Sequence, residues 1–76
     1  MSEIMVLSDA QLEEITRQLN RMEACIDNNV ARGDSLRVAY WSSRLMGIRD
    51  TLSIIGYAAV LKDADGDYRW EIVKKR

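Results

Sequence analysis

Six pairs of positions in this 76-residue chain are related by one reflection: Leu12 with Ile55, Ile15 with Leu52, Leu19 with Ile48, Met22 with Leu45, Ile26 with Trp41, and Asn29 with Val38. In each pair the residue numbers add to 67, so two largely apolar stripes are mirrored about the tripeptide Arg32-Gly33-Asp34. Side chains spaced alternately three and four apart lie on one side of an α-helix, so mirrored stripes let two antiparallel helices face each other rung by rung. The spacing predicts a helical hairpin.

Local signals set its boundaries. Ser8-Asp9-Ala10-Gln11 has the form of a capping box, and Leu7 with Leu12 is spaced as a hydrophobic staple. A first helix is therefore expected over residues 9–32, about 36 Å long at 1.5 Å per residue. Gly33 suits the left-handed position after a helix end, and Asp34 or Ser35 suits the cap of the next helix, expected over residues 35–55 and stopped by Gly56.

The second helix carries another row. Leu36, Tyr40, Ser43, Gly47, Thr51 and Ile54 repeat at helical spacing on the side away from the main stripe, with small residues in the middle where another backbone could approach closely. A helix apolar on two faces is normally buried on both, and the first helix covers one. The second face is left for the C-terminal segment, a second copy of the chain, or each in part, and these six residues are the candidate self-association surface.

Beyond Gly56 the period changes to two. Tyr57–Lys62 and Asp67–Lys74 read as strands, with Tyr68, Trp70 and Ile72 alternating with Arg69 and Glu71, and Asp65-Gly66 is a turn signal between them. A two-stranded hairpin over 57–74 is marginal alone in water, so it is expected to lie against the helices. Ile4-Met5-Val6-Leu7, within an N-terminal arm of residues 1–8, is either a third strand or a packed arm.

A single domain of this size buries only about 60% of the surface its unfolded chain exposes. Cys25 has no second cysteine to pair with, and without histidine the usual structural zinc sets cannot form, which leaves oligomerisation as the expected remedy. The lone cysteine suits a reducing compartment, and Met1–Leu7 lacks the basic start and long apolar core of a secretory peptide, so the expected location is the cytoplasm. No stretch approaches the roughly 20 apolar residues of a membrane span. A net charge of −1 lacks the basic excess of a general nucleic-acid binder. Charge is nevertheless uneven: residues 1–34 are acidic and the remainder basic, and Glu23 with Arg44, which also add to 67, are expected to form a flanking ion pair.

Several motifs have structural readings that outweigh their functional ones. Arg32-Gly33-Asp34 matches the tripeptide of integrin ligands, but a helix stop followed by a helix cap explains all three residues. Asp63, Asp65 and Asp67 around Gly66 resemble a calcium loop, yet the glycine is misplaced and Lys74 stands where the twelfth-position Glu should be. Cys25 has no histidine to activate it. No paired carboxylates, phosphate loop or partnered nucleophile can be named, so no catalytic, cofactor-binding or metal-ligating residue is expected. Tyr57, Tyr68 and Trp70 with Lys62, Arg69 and Lys74-Lys75-Arg76 have the composition of a base-stacking surface, but also that of a small sheet packed on helices.

The sequence thus predicts a mainly α (α+β) chain, a helical hairpin followed by a β-hairpin, dimerising into a four-helix bundle. The expected role is a non-catalytic, homo-oligomeric protein–protein interaction module, an adaptor or regulatory subunit with a further protein partner. The alternative is a small nucleic-acid-associated regulator using the C-terminal hairpin and basic tail.

Overall fold

The computed structural model describes residues 6–64 and 67–75. Two helices, α1 (Asp9–Ala31) and α2 (Ser35–Ile54), are followed by two antiparallel strands, β1 (Tyr57–Ala64) and β2 (Asp67–Lys74).

The capping box forms as the sequence predicts: Ser8 Oγ accepts the Gln11 N–H at 3.1 Å, and Gln11 Oε1 accepts the Ser8 N–H at 2.8 Å. At the other end of α1 the chain passes Arg32 into Gly33, whose φ of 70° is the left-handed conformation that glycine adopts without a Cβ penalty. Gly33 N–H then reaches the Val30 carbonyl and Asp34 N–H the Asn29 carbonyl, each at 3.0 Å, which is the Schellman pattern that satisfies the last carbonyls of a helix. Asp34 Oδ1 immediately accepts the Arg37 N–H at 3.1 Å and caps α2. The whole tripeptide is used in reversing the chain. Both helices end one residue before the expected position because Arg32 and Ile55 serve as their C-caps.

The mirrored stripes meet. Every apolar member of the six rungs except Val38 belongs to the core or packs against it, and Leu19, at 0% exposure, is its most buried side chain. Asn29, the polar member, is buried and donates from Nδ2 to the Cys25 carbonyl at 2.8 Å. A buried amide bonded within its own helix carries little of the desolvation cost of an unpaired one.

The hairpin forms a second layer on the helices, with β1 against α2 and β2 against α1. Tyr57 and Trp70 enter the core beside Leu45, Leu52, Leu19 and Met22, and Leu61 faces Trp70 in the register. Three further contacts tie the layers. The Trp70 N–H donates to Asn20 Oδ1 at 2.8 Å, Trp70 Nε1 donates to Glu23 Oε1 at 3.1 Å, and the Arg49 guanidinium lies 5.2 Å from the centre of the Trp70 ring.

These contacts correct one expectation. Glu23 and Arg44 do not form an ion pair, because Glu23 is taken by the indole of Trp70 while Arg44 turns to its own helix and donates from Nη1 to the Tyr40 hydroxyl at 2.9 Å. A buried indole N–H needs an acceptor more than a screened surface charge needs a counterion. Of the suggested third strand, Ile4 and Met5 lie outside the described residues, and Val6 and Leu7 are in no strand. The Leu7 N–H donates to the Tyr57 hydroxyl at 3.0 Å, so this part of the chain is packed as an arm on the end of the sheet. The Asp65-Gly66 turn lies outside the described residues.

Candidate interaction surface

Going around α2, one side faces α1 through Trp41, Leu45, Ile48 and Leu52, and the adjoining side carries the hairpin through Arg49 and Ser53. Neither cover reaches the second row. Leu36, Tyr40, Ser43, Gly47, Thr51 and Ile54 are all exposed, and its two ends, Leu36 and Ile54, are 84% and 82% open to solvent. The hairpin therefore leaves that face of α2 uncovered.

The row is apolar at its ends, Leu36 and Ile54, and small or hydroxyl-bearing in its middle, at Ser43, Gly47 and Thr51. Thr51 donates its hydroxyl to the Gly47 carbonyl at 2.9 Å, which satisfies it within the helix. A Cβ placed on Gly47 would meet nothing within 4 Å, so the space over the middle of the row is open. Tyr40 stands edge-on to Trp41, with ring centres 5.2 Å apart and planes at 79°, and the Arg44 guanidinium sits over both rings at 5.7 and 5.6 Å. Tyrosine, tryptophan and arginine held in place by one another are the residue types that dominate binding energy at interfaces. Helical spacing alone placed Tyr40 in the row but did not reveal this cluster; the signal was the i, i+4 spacing of Tyr40 and Arg44.

Beside the row runs a groove of about 540 Å³ between α1 and α2. Leu7, Ile15, Ile48, Leu52 and Ile55 form its floor and walls, Gly47 and Thr51 of the row form one bank, and Glu14, Gln18 and Arg44 stand at the rim. Groove and row share Gly47 and Thr51 and so adjoin along α2.

The other candidate residues are dispersed or engaged. Asp67 accepts from Arg69 Nε at 3.1 Å, Asp63 lies across the strand pair from Tyr68, and Asp65 is outside the described residues. Among the described residues no group of His, Cys, Asp and Glu is placed to hold a metal ion. Cys25 is half-buried on α1. On the hairpin, Lys62 pairs with Glu71 at 3.3 Å, Lys75 Nζ donates to Ser53 Oγ, and the rings of Tyr57 and Trp70 are buried, whereas Tyr68 is 57% exposed. The aromatic and basic side chains that composition grouped together thus point into different environments. Arg76 lies outside the described residues.

No helix is long and apolar enough to cross a membrane among the described residues. No protein-family model, curated protein or solved structure matches the chain.

Proposed function

We propose that this chain is a small homo-oligomeric protein–protein interaction module, an adaptor or regulatory subunit of the cytoplasm without a reaction of its own, which self-associates through the uncovered face of α2. The exposed row from Leu36 to Ile54 carries this reading. Four helices, two from each copy, then form the centre of the assembly and leave the hairpins outside for a further protein partner.

The exposed face supports it. Leu36, Tyr40 and Ile54 are 84%, 53% and 82% open to solvent on one side of α2, and apolar side chains aligned on one exposed face mark a contact with another surface.

Sedimentation velocity on the pure protein tests the reading. A concentration-dependent dimer is the expected result, and a monomer at every accessible concentration overturns it.

A further inference from the structure

The two outer edges of the hairpin differ. Lys75 donates its N–H to the Gly56 carbonyl at 2.8 Å, so these two form a hydrogen-bonded pair. Alternation along the ladder then makes Ala59–Ile72 and Leu61–Trp70 non-hydrogen-bonded pairs, whose main-chain groups turn outward. On β2 the outward N–H of Trp70 is taken by Asn20, which blocks the middle of that edge. On β1 the outward N–H and C=O groups of Ala59 and Leu61 have no hydrogen-bond partner among the described residues. We infer that β1 is a receiving edge, to which an extended segment of another protein adds as a strand. The inference rests on the further protein partner of the reading above and specifies how that partner is held.

The occupant is extended backbone because the free groups repeat on alternate residues, and another strand presents donors and acceptors at the same spacing. Val60 and Leu61 are exposed on opposite faces of β1, so an added strand covers apolar surface on both. Beside this edge a cleft of about 250 Å³ runs between β1 and α2, lined by Met46, Asp50 and Ser53 of the helix and by Ala58 and Ala59 of the strand. Met46 is exposed there and suits an apolar side chain of the incoming segment. The neighbouring cations are engaged, Arg49 on the Trp70 ring and Lys75 on Ser53. Asp50 makes no hydrogen bond or ion pair among the described residues, so a lysine or arginine of the segment complements it.

A second copy of β1 does not fit this edge. Neighbouring strands lie about 4.8 Å apart and packed helices about 8–10 Å, so two helices under two strands extend beyond them on both sides. Asn20 shows this overhang on the other side, where it reaches the outer edge of β2 from α1. A closed pair of identical edges runs antiparallel about a two-fold axis perpendicular to the sheet, which keeps all four helices on one face. The two α2 helices would then overlap at the seam. A segment with no helix of its own meets no such obstacle.

Random linear peptides displayed on phage and selected on the immobilised full chain supply the probe. Synthetic copies of the selected peptides are then measured on the parent and on Ala59→Pro, which removes an outward N–H and leaves the ladder to β2 intact. The expected result is peptides with apolar residues at alternate positions and a basic residue on the same side, which slow amide exchange at Ala59 and Leu61 of the parent. Ala59→Pro should bind them about tenfold more weakly. Recovery of no binding peptide, equal binding to a folded Ala59→Pro, or unchanged exchange at the two amides overturns the inference. So does slowing of those amides on concentrating the protein alone, because a second copy then occupies the edge. Exchange on the parent needs no variant and stands even where Ala59→Pro fails to fold. A sedimenting monomer that binds such peptides overturns self-association alone, and a dimer that binds none overturns only the added strand.

Discussion

Asn20 Oδ1 on α1 accepts the backbone N–H of Trp70 on β2 at 2.8 Å, a bond between residues 50 positions apart that joins the helical layer to the sheet. Because that N–H points away from β1, the pair Leu61 and Trp70 is a non-hydrogen-bonded pair of the ladder, and Asn20 closes the outer edge of β2 at this point. A side chain from a helix thus replaces the neighbouring strand that a wider sheet would have supplied.

Replacing Asn20 with alanine leaves a part-buried backbone N–H without its acceptor. The expected loss is about 1–3 kcal/mol of stability. Asn20→Asp keeps an acceptor oxygen and loses less. Urea unfolding followed by circular dichroism measures both, and equal stability of Asn20→Ala and the parent would show that the bond contributes nothing.

Trp70 holds the hairpin by ring burial, by the indole bond to Glu23 and by the Arg49 guanidinium over its face. Trp70→Phe retains most of the ring but removes the donor, and should cost about 1–3 kcal/mol. Glu23→Gln keeps a carbonyl oxygen for the indole and should cost less than Glu23→Ala. If Glu23→Ala is neutral in chemical denaturation, the indole bond is not what holds the two layers together.

Leu19 is completely buried in the middle rung against Ile48 and beneath the sheet. Truncation to alanine opens a cavity there and should cost about 2–5 kcal/mol, enough to unfold much of the population of so small a domain. Leu36→Ala, on the exposed row, should change monomer stability by no more than about 0.5 kcal/mol. Thermal unfolding of the two variants at concentrations too low for association compares core with surface directly.

Gly47 separates the needs of the monomer from those of the assembly. As an exposed glycine inside α2 it weakens the helix, so Gly47→Ala should stabilise the monomer by about 0.5–1 kcal/mol. Gly47→Leu also fits the open space in the monomer, but it crowds a close contact between two α2 helices. Overpacking of about 1–3 kcal/mol there weakens dimerisation roughly 5- to 150-fold. Sedimentation equilibrium on the three proteins reads the difference, and unchanged association of Gly47→Leu would move the interface off this row.

Gly33 fixes where the chain turns, at a φ of 70°, and a Cβ added there would meet nothing within 4 Å. Gly33→Ala therefore carries only the left-handed backbone penalty, about 1–2 kcal/mol. A steeper loss in a thermal melt would mean that the turn tolerates no change in its dihedral angles.

Much of this fold was legible without coordinates because its signals are local. Ser8 and Gln11 cap each other across three residues, Gly33 and Asp34 turn the chain within one step, and alternation marks Tyr68, Trp70 and Ile72 as one face of a strand. The candidate row was legible too, since helical spacing alone places Leu36, Tyr40, Ser43, Gly47, Thr51 and Ile54 together. Arg44 was misassigned because summed residue numbers give only height along a helix pair. They do not say whether a long side chain turns across the seam or back to Tyr40 on its own helix.

By itself, then, the sequence determined the elements, the turn and the meeting of the two mirrored stripes, all consequences of spacing and of caps that act over a few residues. Only the tertiary structure decided which side of the helices the sheet occupies, and hence that Glu23 serves the Trp70 indole and that the second face of α2 stays open. Those outcomes depend on how bulky rings and buried donors fit against a surface built from distant parts of the chain. Periodicity along one element carries no measure of that fit.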